Sequence, residues 1–307
     1  MPAGPIDPEA PLTEAALTRA LRRALVGADP RLSRFDPLPR IISHDDFARG
    51  HCGWSQLVGN YEGSLDTMLP GYAQHTSAMI STLPHWDAGS HGGVDSSYAL
   101  KIATRPRVGA QNVAIKRLNL RHRGPIRFEM YFTFKPEATE LTLGDTAVRA
   151  VGLLFDLQGG DRDGDVERVM PHLRFLNAEG GQQRHVWQFK AVREPFRPAG
   201  SGETLSHYHL APEGWQDLPG ADQKLCYNEI ATKVNWAYLC FDFDLATMRP
   251  TGLRCNDRVI DVSGMEPMRM PAMKNLWCML NFCLFAETDT ARRAFLYVDS
   301  VCISGDF

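Results

Sequence analysis

From Ile41 onward, apolar and polar residues alternate with a period of two in one segment after another. The clearest segments are Ser97–Ala103, Arg127–Phe134, Ala147–Gln158, Leu173–Asn177, His185–Val192, Ala237–Asp244, Trp277–Phe285 and Phe295–Ser304. Successive side chains of a strand point to opposite faces, so this pattern predicts half-buried strands. Turn-rich stretches such as Gly159–Asp165 and Arg197–Gly202 separate them. Cys255–Asp261 reads as a hairpin, with Asn256-Asp257 suited to positive φ at its turn. Helical periods are absent between the strands, which argues against a βαβ fold and for an all-β, two-sheet antiparallel sandwich. The lack of a fixed-period repeat argues against a propeller or solenoid.

The first 40 residues follow a different period. Thr13 is placed to cap a helix over Glu14–Val26, with Leu17, Leu21 and Leu25 forming a stripe at i, i+4, i+8. Gly27 and Pro30 stop it, and Pro37-Leu38-Pro39 leads stiffly into the first strand. Such a helix is expected to pack on the body of the protein or on a partner subunit, as in a homo-oligomer. Its three arginines, Arg19, Arg22 and Arg23, are too few to anchor it on a membrane. The predicted organisation is a short helical extension over 1–40 and one domain over 41–307.

The closing run from Phe295 to Ser304 alternates, with Phe295, Tyr297, Asp299, Val301 and Ile303 on one side and Leu296, Val298, Ser300 and Cys302 on the other. The opening run contains Asp45-Asp46-Phe47, Gly50 and Gly53-Trp54. That opening, joined to a Tyr297-Val298-Asp299-Ser300-Val301 ending, resembles the jelly rolls of the concanavalin A-like lectin and glucanase type. The resemblance implies that the first and last strands lie side by side in one sheet. It also implies a curved sheet whose concave outer face holds an oligo- or polysaccharide. In many carbohydrate-binding jelly rolls an acidic residue near the first strand and the Asp of the last share a structural calcium ion; here these would be Asp46 and Asp299. A plain hydrogen-bonding role for Asp299 is the alternative.

Periodicity assigns faces. If Phe128, Met130, Phe132 and Phe134 take the core, then Arg127, Glu129, Tyr131 and Thr133 project from the opposite face. The same split sends Asp156 and Gln158, His172 and Arg174, and Gln188 and Lys190 outward. Planar donors and acceptors beside an aromatic ring are what sugar hydroxyls need for orientation and stacking. Arg127, Glu129, Tyr131, Asp156, Gln158, His172, Arg174, Gln188 and Lys190 are therefore candidate ligand residues on one kind of sheet face. Trp54, Trp86, Trp215 and Trp236 are stacking platforms or core, and Trp277 reads as core.

Catalytic residues are not assigned. Retaining glycosidases need two carboxylates roughly 5–5.5 Å apart, and glucanases of this fold carry them as Glu-x-Asp-x-x-Glu on one strand. This chain has Glu287-Thr288-Asp289 but Arg292 at the third acidic position, and the motif is expected to follow its strand. Lyases of the same fold use Tyr or His with Arg or Gln, types that Arg127, Tyr131, His172, Gln188 and Lys190 supply, although the alginate lyase strand motifs are absent. A rival constellation, His207, His209 and Glu213, approaches the first metal motif of the cupins, without the second downstream. Asp161, Asp163 and Asp165 alternate around a glycine in a loop suited to calcium or to plain solvation.

Composition narrows the classes. The chain is 44% hydrophobic and 22% charged with a net charge of −3 and a pI near 6.4. That is a globular balance with no basic footprint for nucleic acid. No apolar run reaches the roughly 20 residues that span a bilayer. The seven cysteines sit mostly in apolar strands and lack a Cys-x-x-Cys, so they read as small hydrophobes. Met1–Pro5 lacks the start of a secretory leader, which together with the cysteines predicts a cytoplasmic setting. The leading expectation is a carbohydrate-binding or polysaccharide-processing protein. A cupin-like metal enzyme and a non-catalytic structural or oligomerisation module are the alternatives.

Overall fold

The computed structural model of the chain describes residues 13–56, 78–81, 94, 96–137, 146–159, 166–191, 214–225, 235–274 and 276–306. One helix, α1 (Glu14–Ala28), precedes the strands β1 (Arg40–Asp45), β2 (Ser55–Gln56), β3 (Met79–Ser81), β4 (Ala99–Ala103), β5 (Gln111–Leu118) and β6 (Pro125–Pro136). Next come β7 (Val148–Leu154), β8 (Asp156–Gly159), β9 (Glu167–Met170), β10 (His172–Glu179), β11 (Gln182–Lys190) and β12 (Trp215–Asp222). The chain closes with β13 (Ala237–Asp244), β14 (Arg249–Cys255), β15 (Arg258–Ile260), β16 (Met268–Met270), β17 (Met279–Thr288) and β18 (Ala294–Gly305).

The strands form the expected two-sheet antiparallel sandwich. The first sheet runs β15-β14-β13-β6-β18-β4-β3, with β1 also paired to β18. The second runs β12-β11-β10-β7-β17-β8-β9-β16, with β5 on β17 and β2 on β5. Phe128, Met130, Phe132 and Phe134 of β6 are buried between the sheets, as their alternation requires. Phe128 meets Phe155 at 5.0 Å and Phe282 at 5.6 Å across the interface. Burying each such ring contributes about 1.5–3 kcal/mol. The predicted hairpin is β14–β15, where Cys255 pairs with Arg258 and Asn256 takes φ +53°.

The two ends meet. In β1, Ile41 pairs with Ser304 and Asp45 with Val301 of β18. Asp45 is buried and accepts from Lys116 Nζ at 2.7 Å and from Trp54 Nε1 at 2.9 Å. Lys116 also donates to the Cys52 carbonyl at 2.8 Å. Phe47 is fully buried, and Gly50 and Gly53 take φ +102° and +84° to turn the chain around it. The opening residues are thus a structural clasp.

The closing strand departs from strict alternation. The register of β18 against β6 shifts between Val298 and Ser300, a bulge centred on Asp299. Leu296 and Val298 face the core before it, and Val301 and Ile303 face the core after it. Phe295 and Tyr297 pack with Ala99 and Ala103 in a separate cluster. The extra residue switches the phase, so Phe295 and Val301 do not share a face as the period of two had implied.

Helix α1 ends two residues beyond the predicted Val26, and Thr13 Oγ1 accepts from Ala16 N at 3.2 Å as its cap. Its leucine stripe is not packed on the body: Leu17, Leu21 and Leu25 are 51%, 62% and 62% exposed. Among the described residues no helix is long and apolar enough to cross a membrane.

Candidate functional site

The nine candidate ligand residues do not share one sheet. Arg127, Glu129 and Tyr131 stand on β6 of the first sheet, whereas Asp156, Gln158, His172, Arg174, Gln188 and Lys190 stand on β8, β10 and β11 of the second. Both sets face away from the core, and the outer faces of a two-sheet sandwich point in opposite directions. They cannot converge in one cleft. Alternation along a strand tells inside from outside but not one sheet from the other.

The first sheet's outer face is occupied by the chain itself. Residues 34–38 lie across it as a strap. Tyr131 Oη donates to the Arg34 carbonyl at 2.9 Å, Asp36 N donates to Glu129 Oε1 at 2.8 Å, and Leu38 N donates to Ser304 Oγ at 2.9 Å. Phe35 is buried edge-on against His44 and Tyr131. Arg127 grips Asp242 at 2.7 Å and the Asp36 carboxylate at 3.1 Å. Burial pushes the Glu129 carboxyl above its ordinary value, against the lowering hydrogen bond from Tyr238 Oη at 2.6 Å. Arg127, Glu129 and Tyr131 therefore fasten the strap instead of facing a ligand.

The proposed ion between Asp46 and Asp299 meets the same objection. Arg34 Nη2 stands 2.6 Å from the Asp299 carboxylate, where a cation would sit, and Ser96 Oγ and Val94 N donate to it as well. Asp46 accepts from Ala48 N at 3.1 Å in a local turn. Among the described residues no group of three or more His, Cys, Asp or Glu side chains is placed to hold a metal ion. Asp161, Asp163, Asp165, His207, His209 and Glu213 lie outside the described residues, as does Trp86.

On the second sheet, Asp156 and Gln158 are also committed to structure. Asp156 takes a two-pronged pair from Arg168 at 2.7 and 2.8 Å. Gln158 accepts from Met273 N at 2.7 Å and donates to the carbonyls of Met273 and Leu276. His172 is fully buried.

Two of the remaining candidates, Arg174 and Gln188, belong to a closed circuit on that face, and Lys190 stands beside it. Arg174 Nε donates to Gln188 Oε1 at 2.8 Å, and Gln188 Nε2 donates to Asp217 Oδ1 at 2.6 Å. In the other direction Arg174 Nη1 reaches Glu287 at 3.4 Å, and Arg149 stands 3.6 Å from Glu287 and 2.7 Å from Glu179. Arg184 joins Glu179 to Asp217 at 3.3 Å each and closes the loop. The circuit rises from a dry floor to a wet rim: the side chains of Arg174 and Glu287 are 4% and 3% exposed, those of Arg184 and Asp217 40% and 48%. Burial lowers the Arg174 pKa to about 10 despite Glu287 opposing it, and burial raises that of Glu287.

A glycine makes the crossing feasible. Arg174 pairs with Gly152 of β7, whose other neighbour, on β17, is Phe285, two residues before Glu287. A Cβ on Gly152 would stand 2.2 Å from the Leu173 carbonyl oxygen and 2.9 Å from Arg174 Cβ. With no side chain on β7 at that point, the guanidinium reaches across the strand.

Over this floor lies Trp215, which is half-buried. Its ring is 4.3 Å from the Arg174 guanidinium carbon, 5.4 Å from Lys190 Nζ, and stacked at 6.3 Å beside Phe285. The Ala191 N to Gly214 O bond of 2.9 Å closes the base of the β11–β12 connection beside it. Sequence reasoning had Trp215 as one of several platforms and missed Arg149, Glu179, Arg184 and Asp217, which hold no distinctive spacing. It also placed Glu287 beyond its strand; β17 extends to Thr288, so Glu287 lies within it. Burial raises the thiols of Cys240 and Cys255 to about 12, which disfavours the nucleophilic thiolate there.

No curated protein matches the chain in sequence. A family model described as "Domain of unknown function (DUF6772)" matches residues 22–307. Similar solved structures include one of the endo-acting O-glycanases of the human gut microbiota, at 11% identity and TM-score 0.38, covering 87% of this chain and 100% of that one. The carbohydrate recognition domain of Emp46p, as a Y131F mutant in its own numbering, is 11% identical with TM-score 0.37, covering 88% and 96%. The family 11 carbohydrate-binding module of Clostridium thermocellum is 9% identical with TM-score 0.30, covering 87% and 96%.

Proposed function

The chain belongs to that family, whose description carries no activity, and we propose from its own residues that it binds a carbohydrate on the outer face of the second sheet. One observation carries the reading: a half-buried tryptophan, Trp215, lies over a fixed floor of guanidinium, amide and carboxylate groups. The C–H face of a sugar ring packs on the π face of an indole, and the surrounding polar groups orient hydroxyls. Arg174, Glu287 and Gln188 are held by one another, so little reorganisation is required when a ligand arrives. The exposed Asp217 and Arg184 supply the rim, and the buried Lys190 stands beside the indole. The circuit pairs Arg174, Arg149 and Arg184 with Glu287, Glu179 and Asp217, a balanced set that suits a neutral polyol.

Binding is favoured over hydrolysis. Glu287 faces Arg174 and Arg149, and Asp289 accepts from Gly181 N at 3.0 Å. Neither is placed as one of two carboxylates across an open bond, the arrangement that glycoside cleavage requires. The reading is tested on a panel of neutral and acidic oligosaccharides by calorimetry or glycan array. Saturable binding that is lost in Trp215→Ala supports it; the absence of any glycan ligand, or binding indifferent to Trp215, overturns it.

A further inference from the structure

Beyond the strap, the outer face of the first sheet carries a row of polar ends that the chain itself does not satisfy. The outward residues of β4, β18 and β6 line up across three strands: Lys101 pairs with Tyr297, and Tyr297 pairs with Thr133. Side chains directly opposite one another on an antiparallel pair share a face. On that face Phe295, Tyr297, Ala99 and Ala103 form the separate cluster already noted, with Trp236 packed against it.

Three groups in this row are left over. Thr133 is 3% exposed, and its Oγ1 is buried without a hydrogen-bond partner. Tyr297 is 2% exposed, and its hydroxyl makes no hydrogen bond among the described residues; burial alone pushes its phenol up. Lys101 is half-buried, with Nζ 4.4 Å from the centre of the Phe295 ring and 5.8 Å from that of Tyr297. It makes no ion pair or hydrogen bond among the described residues. An aromatic face attracts an ammonium without neutralising it. Glu137 is bound to Arg293, and burial, with Arg293 adding to it, lowers the pKa of Lys101 against the opposing pull of Glu137. Native structures pair nearly all of their buried polar groups. Two adjacent buried hydroxyls left unpaired beside an unneutralised ammonium therefore call for a partner from outside the chain.

We infer that this face binds a small aromatic carboxylate, its carboxylate held by Lys101, Tyr297 and Thr133 and its ring set against Phe295 and Trp236. The chemistry of the row selects that ligand. An ammonium and two hydroxyls donate together only to an acceptor, and a carboxylate offers about four lone-pair sites on two oxygens. A cation would be repelled by Lys101. A water molecule would satisfy the hydroxyls but bring no counter-charge. An aliphatic acid would leave the aromatic edges without the ring contacts they favour. The inference is independent of the carbohydrate face, since the two sites lie on opposite sides of the sandwich and share no residue.

The test is calorimetry on the full chain with benzoate, beside benzamide, acetate and benzylamine. Saturable one-site binding of benzoate is expected, at least tenfold tighter than that of any of the other three. Lys101→Met, which keeps most of the stem and loses the charge, should weaken it at least tenfold with the thermal midpoint little changed. Thr133→Val replaces the unpaired hydroxyl by a methyl of similar size. It should raise the thermal midpoint of the free protein, because a buried unsatisfied group has gone, and still bind benzoate at least threefold more weakly. A hydroxyl with a merely structural place would not give that opposed pair of shifts. Should Lys101→Met not fold, Thr133→Val carries the test. Failure of benzoate to saturate, benzamide or acetate binding as tightly as benzoate, or wild-type affinity in either folded variant overturns the inference.

Discussion

Arg34 and Asp299 stand near opposite ends of the chain and meet in an ion pair of 2.6 Å, with the carboxylate fully buried. Asp299 is the bulged residue of β18, so the strand's own irregularity aims it at the strap. Ser96 and Ser300 hydroxyls complete its surroundings. A charge so enclosed depends on its partner more than an exposed one does.

Removing that partner should be costly. Arg34→Ala leaves a buried carboxylate without a cation and is expected to cost about 3–5 kcal/mol in urea unfolding. Adding Asp299→Asn should restore part of the loss. A cost below about 1 kcal/mol for Arg34→Ala would show that the pair contributes little.

Gly152→Ala should destabilise the second sheet by about 2–3 kcal/mol, since the new Cβ has no room against β10 and overpacking at this scale costs that much. The change also displaces Arg174, so any glycan affinity should fall with it. A variant as stable as the parent would mean that β7 and β10 separate easily at this point.

Trp215→Ala should separate binding from folding. The ring is half-buried at the margin of the circuit, so the unfolding midpoint should move little while glycan affinity drops at least tenfold, or about 1.4 kcal/mol. Trp187→Ala, at a ring buried in the core, is the contrast: there about 3–5 kcal/mol of stability should go.

The pH response should carry the mark of Glu129. Its carboxyl is raised on folding by burial, so the folded state keeps the proton longer than the unfolded state. The associated stability is complete below the ordinary value of 4.5 and declines as pH rises through the raised one. Glu129→Gln should therefore gain stability relative to the parent as pH climbs from about 4.5 toward neutrality. Unfolding curves at several pH values that stay parallel for the two proteins would refute this.

Much of the architecture was legible in the residues. The period of two in Arg127–Phe134 assigned every core phenylalanine of β6, and the Asn256-Asp257 turn and the Thr13 cap are where the side-chain chemistry put them. The pairing of β1 with β18 matches what the resemblance to concanavalin A-like jelly rolls implied. The site was less legible, for two reasons. Arg127 and Arg174 carry the same local pattern, yet one meets the strap and the other the tryptophan, because sheet membership is decided by long-range pairing. The circuit draws on β7, β10, β11, β12 and β17, so its spacing exists only in space. The phase switch at Asp299 was invisible for a related reason, since a bulge is defined by the partner strand.

The place of β18 has a bearing on how the protein is made. This last strand pairs with β6, β4 and β1 at once, so the first sheet lacks its central member until Ala294–Gly305 has left the ribosome. Sequence-distant pairing of this kind folds slowly. During translation β6 must therefore wait with an open edge, and a chain stopped before Ala294 would keep that edge bare, ready to pair with a neighbouring nascent chain.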